Sequence, residues 1–232
     1  MRAMILAAGR GERMRPLTDS CPKPLLSVAG KPLIVYHIEK LARIGITDIV
    51  INHAWLGQQI VDTLGDGSAW NVKITYSAES NGALETAGGI KKALHLLAQN
   101  NSESPFLVIN GDTYFEYDFS TIPQLPKHQL AHLWLTENPE HNRKGDFGIN
   151  NGILVNQSET MWTFSGLALY RSSFFNHVIG DNFEKLAPLL RAAADKEQIG
   201  ASLLSGLWVD VGTPQRLQQL EAHILSFQVS GK

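Results

Sequence analysis

One cysteine, Cys21, occurs among 232 residues. An internal disulfide is therefore excluded, and a reducing compartment such as the cytoplasm fits the composition. No motif of nucleophilic thiol chemistry surrounds Cys21. No apolar run approaches the roughly 20 residues that a membrane span requires, so no membrane partner is expected. Neither sign of charge dominates: 20 Lys and Arg face 22 Asp and Glu, for a net charge of -2. That excludes the broad basic field by which nucleic acid or anionic lipid is recruited, and any anionic ligand must be held by local cations. The histidines are scattered and lack a metal-protease spacing such as HExxH. The amino terminus lacks the apolar segment and small-residue cleavage site of a secretory leader. No internal repeat, low-complexity stretch or long linker interrupts the chain.

What is present fits one well-buried domain: 44% of residues are hydrophobic and 18% are charged. In the first half, buried-strand patterns at Met4–Ala8, Asp48–Asn52, Val72–Tyr76 and Pro105–Asn110 alternate with helical spacing at Leu33–Ile44, Gln58–Leu64 and Thr86–Leu97. That alternation predicts an α/β fold, with a mostly parallel central sheet flanked by helices. The second half is less regular. Strands are expected at Leu130–Thr136, Trp162–Tyr170 and Leu203–Asp210, helices at Leu186–Ala194 and Pro214–Phe227, and a loop or hairpin at Asn138–Ile149. Thr213 and Pro214 suit the start of the last helix. The expected division is a single domain with a first part at about 1–112, a substrate-facing lobe at about 113–170, and a strand and helix at about 200–227.

Three clusters carry chemistry. In the first, an apolar strand runs into Gly9-Arg10-Gly11-Glu12-Arg13, followed by Pro22-Lys23-Pro24-Leu25. Glycines let the backbone approach phosphate closely, and Arg13 and Lys23 offer fixed positive charge. The third glycine of a dinucleotide fingerprint is replaced by Met14, and no Gly-Lys-Ser/Thr of a Walker A loop follows. The second cluster, Asn110-Gly111-Asp112, ends an apolar strand, where a carboxylate can meet a hard cation that bridges phosphate oxygens. The third, Trp208-Val209-Asp210-Val211-Gly212-Thr213, places another carboxylate before a capped helix. Taken singly, each tripeptide also fits an ordinary turn.

Taken together and in order, these segments, with Gly30-Lys31-Pro32, resemble the sugar-1-phosphate nucleotidyltransferases. The resemblance implies a Rossmann-like nucleotidyltransferase fold, with Mg2+ held by Asp112 and Asp210. It implies a triphosphate gripped by Arg13 and Lys23, in a nucleotide site that also includes Leu6, Ala7, Ala8, Gly9, Gly11, Glu79, Leu84 and Gly111. Ile51–Ile60, Leu84–Ile90, Gly145-Asp146-Phe147 and Phe164-Ser165-Gly166 are similar to a uridylyltransferase subgroup that acts on N-acetylmuramate 1-phosphate in cell-wall sugar recycling. UTP and that sugar phosphate are the implied partners. Glu85, Thr86, Asn110, Gly145, Asp146, Ser165 and Gly166 are the implied sugar contacts. Glu85 stands where the wider family usually carries glycine, and the Glu-Lys pair common before the Ser-Gly strand is missing between Gly152 and Phe164. Trp55, Trp134 and Trp162 read as packing residues rather than sugar platforms. No β-helix repeat follows, which sets the bifunctional acetylating enzymes aside. A monomer or small homo-oligomer is expected. The competing readings are another sugar-1-phosphate guanylyl-, thymidylyl- or uridylyltransferase, and a non-catalytic nucleotide-sugar sensor. A dinucleotide oxidoreductase ranks third.

Overall fold

The computed structural model describes residues 1–80, 82–98, 104–117, 122–179 and 182–230. In chain order the first half comprises β1 (Ala3–Leu6), a short α1 (Leu17–Ser20), β2 (Ser27–Val28), β3 (Lys31–Pro32), α2 (Leu33–Arg43), β4 (Asp48–His53), α3 (Gly57–Leu64), β5 (Lys73–Ala78), α4 (Glu85–Leu97), β6 (Phe106–Asn110) and β7 (Thr113–Phe115). The second comprises β8 (Ala131–Thr136), β9 (Gly148–Asn150), β10 (Ile153–Val155), β11 (Thr163–Tyr170), α5 (Leu186–Ala194), β12 (Ile199–Leu203), β13 (Trp208–Asp210) and α6 (Pro214–Ser230). None of the described helices is long and apolar enough to cross a membrane.

Among the described residues, nine strands form one sheet in the order β5-β4-β1-β6-β11-β8-β12-β10-β9. The first four are mutually parallel. Beyond β6 the pairing is antiparallel with β11, parallel again between β8 and β12, and antiparallel at the β9–β10 edge. Side chains alternate across the pleat. Met4, Val50 and Val108 pack against Ala87 and Ile90 of α4 and Leu190 of α5. Ala3, Ile5, Ile49 and Ile109 face Ile34, Ile38 and Leu41 of α2 and Ile60 of α3. Helix α2 forms because Leu33, Ile34, Ile38 and Leu41 make one apolar stripe, and it stops at Gly45, whose φ of 78° lies in the left-handed region. A third cluster joins Met14, Leu26, Tyr114, Val211, Leu220 and Ile224, and so ties α6 to the amino-terminal turn.

One expected strand divides. Leu203–Asp210 is not continuous: β12 ends at Leu203 in the large sheet, and β13 pairs with β7 in a separate two-stranded ribbon. Gly206 makes the crossing possible. Its φ is 88°, and a Cβ there would lie 2.4 Å from the Glu116 carbonyl oxygen. The polar Asn138–Ile149 stretch leads into the β9–β10 hairpin, whose tip, Asn151-Gly152, has two successive positive φ angles.

Candidate active site

The carboxyl ends of β1, β4, β5 and β6 open into one crevice, where ligands of open α/β sheets bind. Its first cavity, of about 360 Å³, is lined among others by Leu6, Ala7, Ala8, Gly9, Lys23, Glu79, Glu85, Thr86, Asn110 and Asp112. Most of the residues expected for the nucleotide thus meet there. A relay of hydrogen bonds fixes the wall. The Ala7 N–H donates to Asn52 Oδ1 (2.9 Å), Asn52 Nδ2 donates to Glu79 Oε1 (2.7 Å), and the Leu84 N–H donates to Glu79 Oε2 (2.7 Å). Glu79 is buried, and both its oxygens are occupied by this relay. It therefore sets the position of the Leu84 turn. The loop between Glu79 and Leu84 includes residue 81, which lies outside the described residues.

The amino-terminal turn wraps around Lys23. Gly11 (φ 69°) packs against Lys23 and Thr18, and Thr18 Oγ1 donates to the Gly11 carbonyl oxygen at 2.8 Å. The Lys23 ammonium is buried and reaches Asp112 Oδ2 at 2.6 Å. Gly111 is required by proximity. Its N–H donates to the Leu6 carbonyl oxygen at 2.9 Å, and a Cβ would lie 2.7 Å from that oxygen.

The two aspartates expected to share a metal stand at neighbouring strand ends. Asp210 of β13 lies opposite Thr113 of β7, and the Val211 N–H donates to the Asp112 carbonyl oxygen at 3.0 Å. Asp210 Oδ2 is held by Arg216 NH1 at 2.7 Å and lies 3.3 Å from His141 Nε2. Gly212 keeps this corner open, since a Cβ there would come within 3.1 Å of both Arg13 NH2 and Asp210 Oδ2. Gly11, Arg13, Lys23, Asp112 and Gly212 line a further cavity of about 280 Å³. Each aspartate keeps one oxygen without a partner among the described residues. Two hard oxygens suit a Mg2+ ion that completes its shell with water and phosphate. No group of three or more His, Cys, Asp or Glu that could cage a metal exists among the described residues.

A second cavity, of about 320 Å³, continues from the first through Glu85, Thr86 and Asn110, and its wall includes Asp146, Phe147 and Phe164. Glu85 holds a φ of 61°, a left-handed conformation that costs a side chain energy and that glycine adopts freely. Three of the expected sugar residues sit differently. Ser165 is fully buried and donates to the Trp134 carbonyl oxygen at 2.6 Å. Gly166 (φ 80°) lies in the bulge where β11 shifts register between Phe164 and Leu167. A Cβ there would lie 2.6 Å from Asn110 Nδ2, so the glycine makes room for Asn110. Gly145 (φ 66°) packs against the Trp162 backbone and lines neither cavity.

Several residues at the site escaped sequence reasoning: Asn52, Arg10 and Phe183 in the first cavity, Lys185 and Arg191 in the second, and Arg216 and His141 at Asp210. Asn52 carried a local signal, as a polar side chain ending an apolar strand, and Arg10 stands inside the glycine-rich turn. Trp134 is buried, and Trp55 stacks under Arg10 with its centroid 3.8 Å from the guanidinium carbon while donating to the Thr18 carbonyl oxygen. Burial pushes the Cys21 thiol up from its usual value, the opposite of an activated thiolate.

Residues 2–151 match the family described as nucleotidyl transferase. A Neisseria meningitidis serogroup B protein named N-acetylmuramate alpha-1-phosphate uridylyltransferase is 52% identical over 230 residues, covering 96% of this chain and 97% of the relative. A mannose-1-phosphate guanyltransferase from Schizosaccharomyces pombe is 30% identical over 227 residues, covering 93% of this chain but 62% of the relative. A crystal structure of a Bacillus anthracis protein described as a glucose-1-phosphate thymidylyltransferase shares the fold. It superposes with a TM-score of 0.81 at 24% identity, covering 96% of this chain and 94% of that one. On the family match and the near full-length identity, the chain belongs to the nucleotidyl transferase family.

Proposed function

We propose that the protein transfers a uridylyl group from UTP to N-acetylmuramate α-1-phosphate, yielding UDP-N-acetylmuramate and pyrophosphate, as a step in cell-wall sugar recycling. The observation that carries this reading is the 52% identity, across nearly the whole of both chains, to the Neisseria relative of that name. The geometry supports it. The sheet crevice offers one cavity for a nucleotide and a contiguous one for a sugar, and Arg13 and Lys23 of the glycine-rich turn line a third that shares Gly9, Lys23 and Asp112 with the first.

In this mechanism Ala8 and Gly9 face the base with their backbone, and Arg13 and Lys23 hold the phosphates. Asp112 and Asp210 would hold Mg2+, which when bound would neutralise negative charge on the phosphates. An oxygen of the sugar phosphate attacks the α-phosphorus of UTP in line. The bond from that phosphorus to the bridging oxygen breaks, and pyrophosphate departs. The nucleophile is anionic near neutral pH, so no side chain is needed as a general base. Repulsion between anions makes most of the barrier, and alignment with fixed positive charge lowers it. The second cavity, with Glu85, Thr86, Asn110 and Asp146, takes the sugar, and residues at about 113–170 form its lobe.

The test is pyrophosphate release by purified protein with Mg2+, across the four nucleoside triphosphates and a panel of sugar 1-phosphates. UTP with N-acetylmuramate 1-phosphate is expected to give the highest kcat/KM. A higher value for a mannose or glucose phosphate would reassign the substrate. Nucleotide binding without turnover of any pair would favour a sensor.

A further inference from the structure

We infer that the far end of the second cavity is a carboxylate subsite, in which Lys185 and Arg191 select a sugar phosphate bearing an acidic substituent. The inference rests on the proposed transfer to N-acetylmuramate 1-phosphate and names the residues that read that sugar. The two cavities meet at Glu85, Thr86 and Asn110. A sugar whose anomeric phosphate lies near Lys23 and Asp112 therefore passes Asn110 and projects its remote substituents into the second cavity. Away from that junction the lining comprises Lys185, Leu186, Ala187, Leu190 and Arg191, just before and along α5, with Asp146, Phe147 and Phe164.

The two cations there have bonding capacity to spare. Lys185 has no hydrogen-bond or ion-pair partner among the described residues. Among the described residues the Arg191 guanidinium bonds only neutral oxygens, Asn156 Oδ1 and the Asp146 carbonyl, each at the long distance of 3.4 Å, and its carbon lies 4.9 Å from the centre of the Phe147 ring. The nearby Asp146 carboxylate is engaged elsewhere. Its Oδ1 accepts from Asn142 Nδ2 at 3.1 Å, and its Oδ2 from the Phe164 N–H at 2.8 Å. A planar guanidinium and an ammonium lining one cavity together with the Phe147 and Phe164 rings suit a carboxylate attached to a small alkyl group. N-acetylmuramate differs from N-acetylglucosamine by such a group, a lactyl ether on O3. These cations stand just before and on α5, not between Gly152 and Phe164 where the wider family's pair was sought.

The test is discrimination. For wild type, Lys185→Gln, Arg191→Gln and Arg191→Lys, kcat/KM with UTP is measured for N-acetylmuramate 1-phosphate and N-acetylglucosamine 1-phosphate. Loss of a charge-assisted hydrogen bond is expected to lower the ratio of the two values by about 10- to 100-fold in each Gln variant. Most of the change should lie in KM, and Arg191→Lys should recover part of the ratio. A ratio unchanged in both Gln variants, with wild type preferring the muramate substrate, overturns the subsite and leaves the proposed function standing. Wild-type protein that cannot use N-acetylmuramate 1-phosphate overturns both.

Discussion

The Lys23 ammonium, buried within the amino-terminal turn, is paired at 2.6 Å with Oδ2 of Asp112, which follows the end of β6, 89 residues further along the chain. The same lysine is thus the partner of a proposed metal-binding carboxylate before substrate arrives and a proposed phosphate contact afterwards. Lys23→Ala is expected to lower kcat/KM by about 10²–10³, as for other preorganised electrostatic groups. It should also tighten divalent-cation binding to the nucleotide-free protein, because Asp112 loses a competing charge. Titration with Mn2+, followed by calorimetry, checks the second effect. Weaker Mn2+ binding in the variant would contradict the pairing argument.

Asp210 is the more constrained partner, since Arg216 and His141 both approach its Oδ2. An amide at this position can still accept from Arg216 but is a poor ligand for a hard cation. Asp210→Asn, and likewise Asp112→Asn, should therefore fold normally and lose about 10²–10³ in turnover. Near wild-type pyrophosphate release from either variant, with circular dichroism unchanged, would refute the metal assignment.

The amino-terminal turn was legible in the sequence because its signals are local: glycines, arginines and a proline-flanked lysine lie within about twenty residues of one another. The strand and helix pattern of the first half was legible for the same reason, as its four buried strands alternate with three helices and all lie in the parallel block. What failed depended on long-range placement. Leu203–Asp210 reads as one apolar run, yet Gly206 hands the chain from one sheet to another. Ser165 and Gly166 match a motif, but the bulge turns the hydroxyl inward and leaves the glycine to accommodate Asn110. Arg191 and Arg216 sit on helices and Lys185 just before one, with no motif around them, and only the fold shows what they face.

Glu85 separates stability from specificity. A side chain held at a φ of 61° at the start of α4 carries roughly 1–2 kcal/mol of backbone strain. Glycine relieves that strain but makes the unfolded chain more flexible. Glu85→Gly is therefore expected to stabilise the protein by about 0.5–1 kcal/mol net, read as a raised urea midpoint. The same variant should raise KM for the sugar phosphate more than KM for UTP. A lowered midpoint together with unchanged KM values would mean that Glu85 is held by packing and touches no substrate.

His37 sets an acid limit on the fold. It is fully buried between α2 and β7, and its Nε2–H donates to the Thr113 carbonyl oxygen at 2.7 Å. Nδ1 has no partner among the described residues. Burial, reinforced by the Lys40 charge, pushes its pKa down to about 3 from an ordinary value of 6.5. Above pH 6.5 the imidazole is neutral in both folded and unfolded chains and adds no pH dependence. Between 6.5 and about 3 the unfolded chain binds a proton that the folded one refuses, so stability falls as the pH falls. The loss from this one group is on the order of 2 kcal/mol by pH 5. His132, lowered to about 4 by burial, acts in the same direction. Urea unfolding at pH 7 and pH 5 should show a large acid penalty in the wild type, reduced by about that amount in His37→Gln. An equal penalty in both proteins would mean that His37 takes up its proton in the native state, and that the contact with Thr113 does not hold the ring neutral.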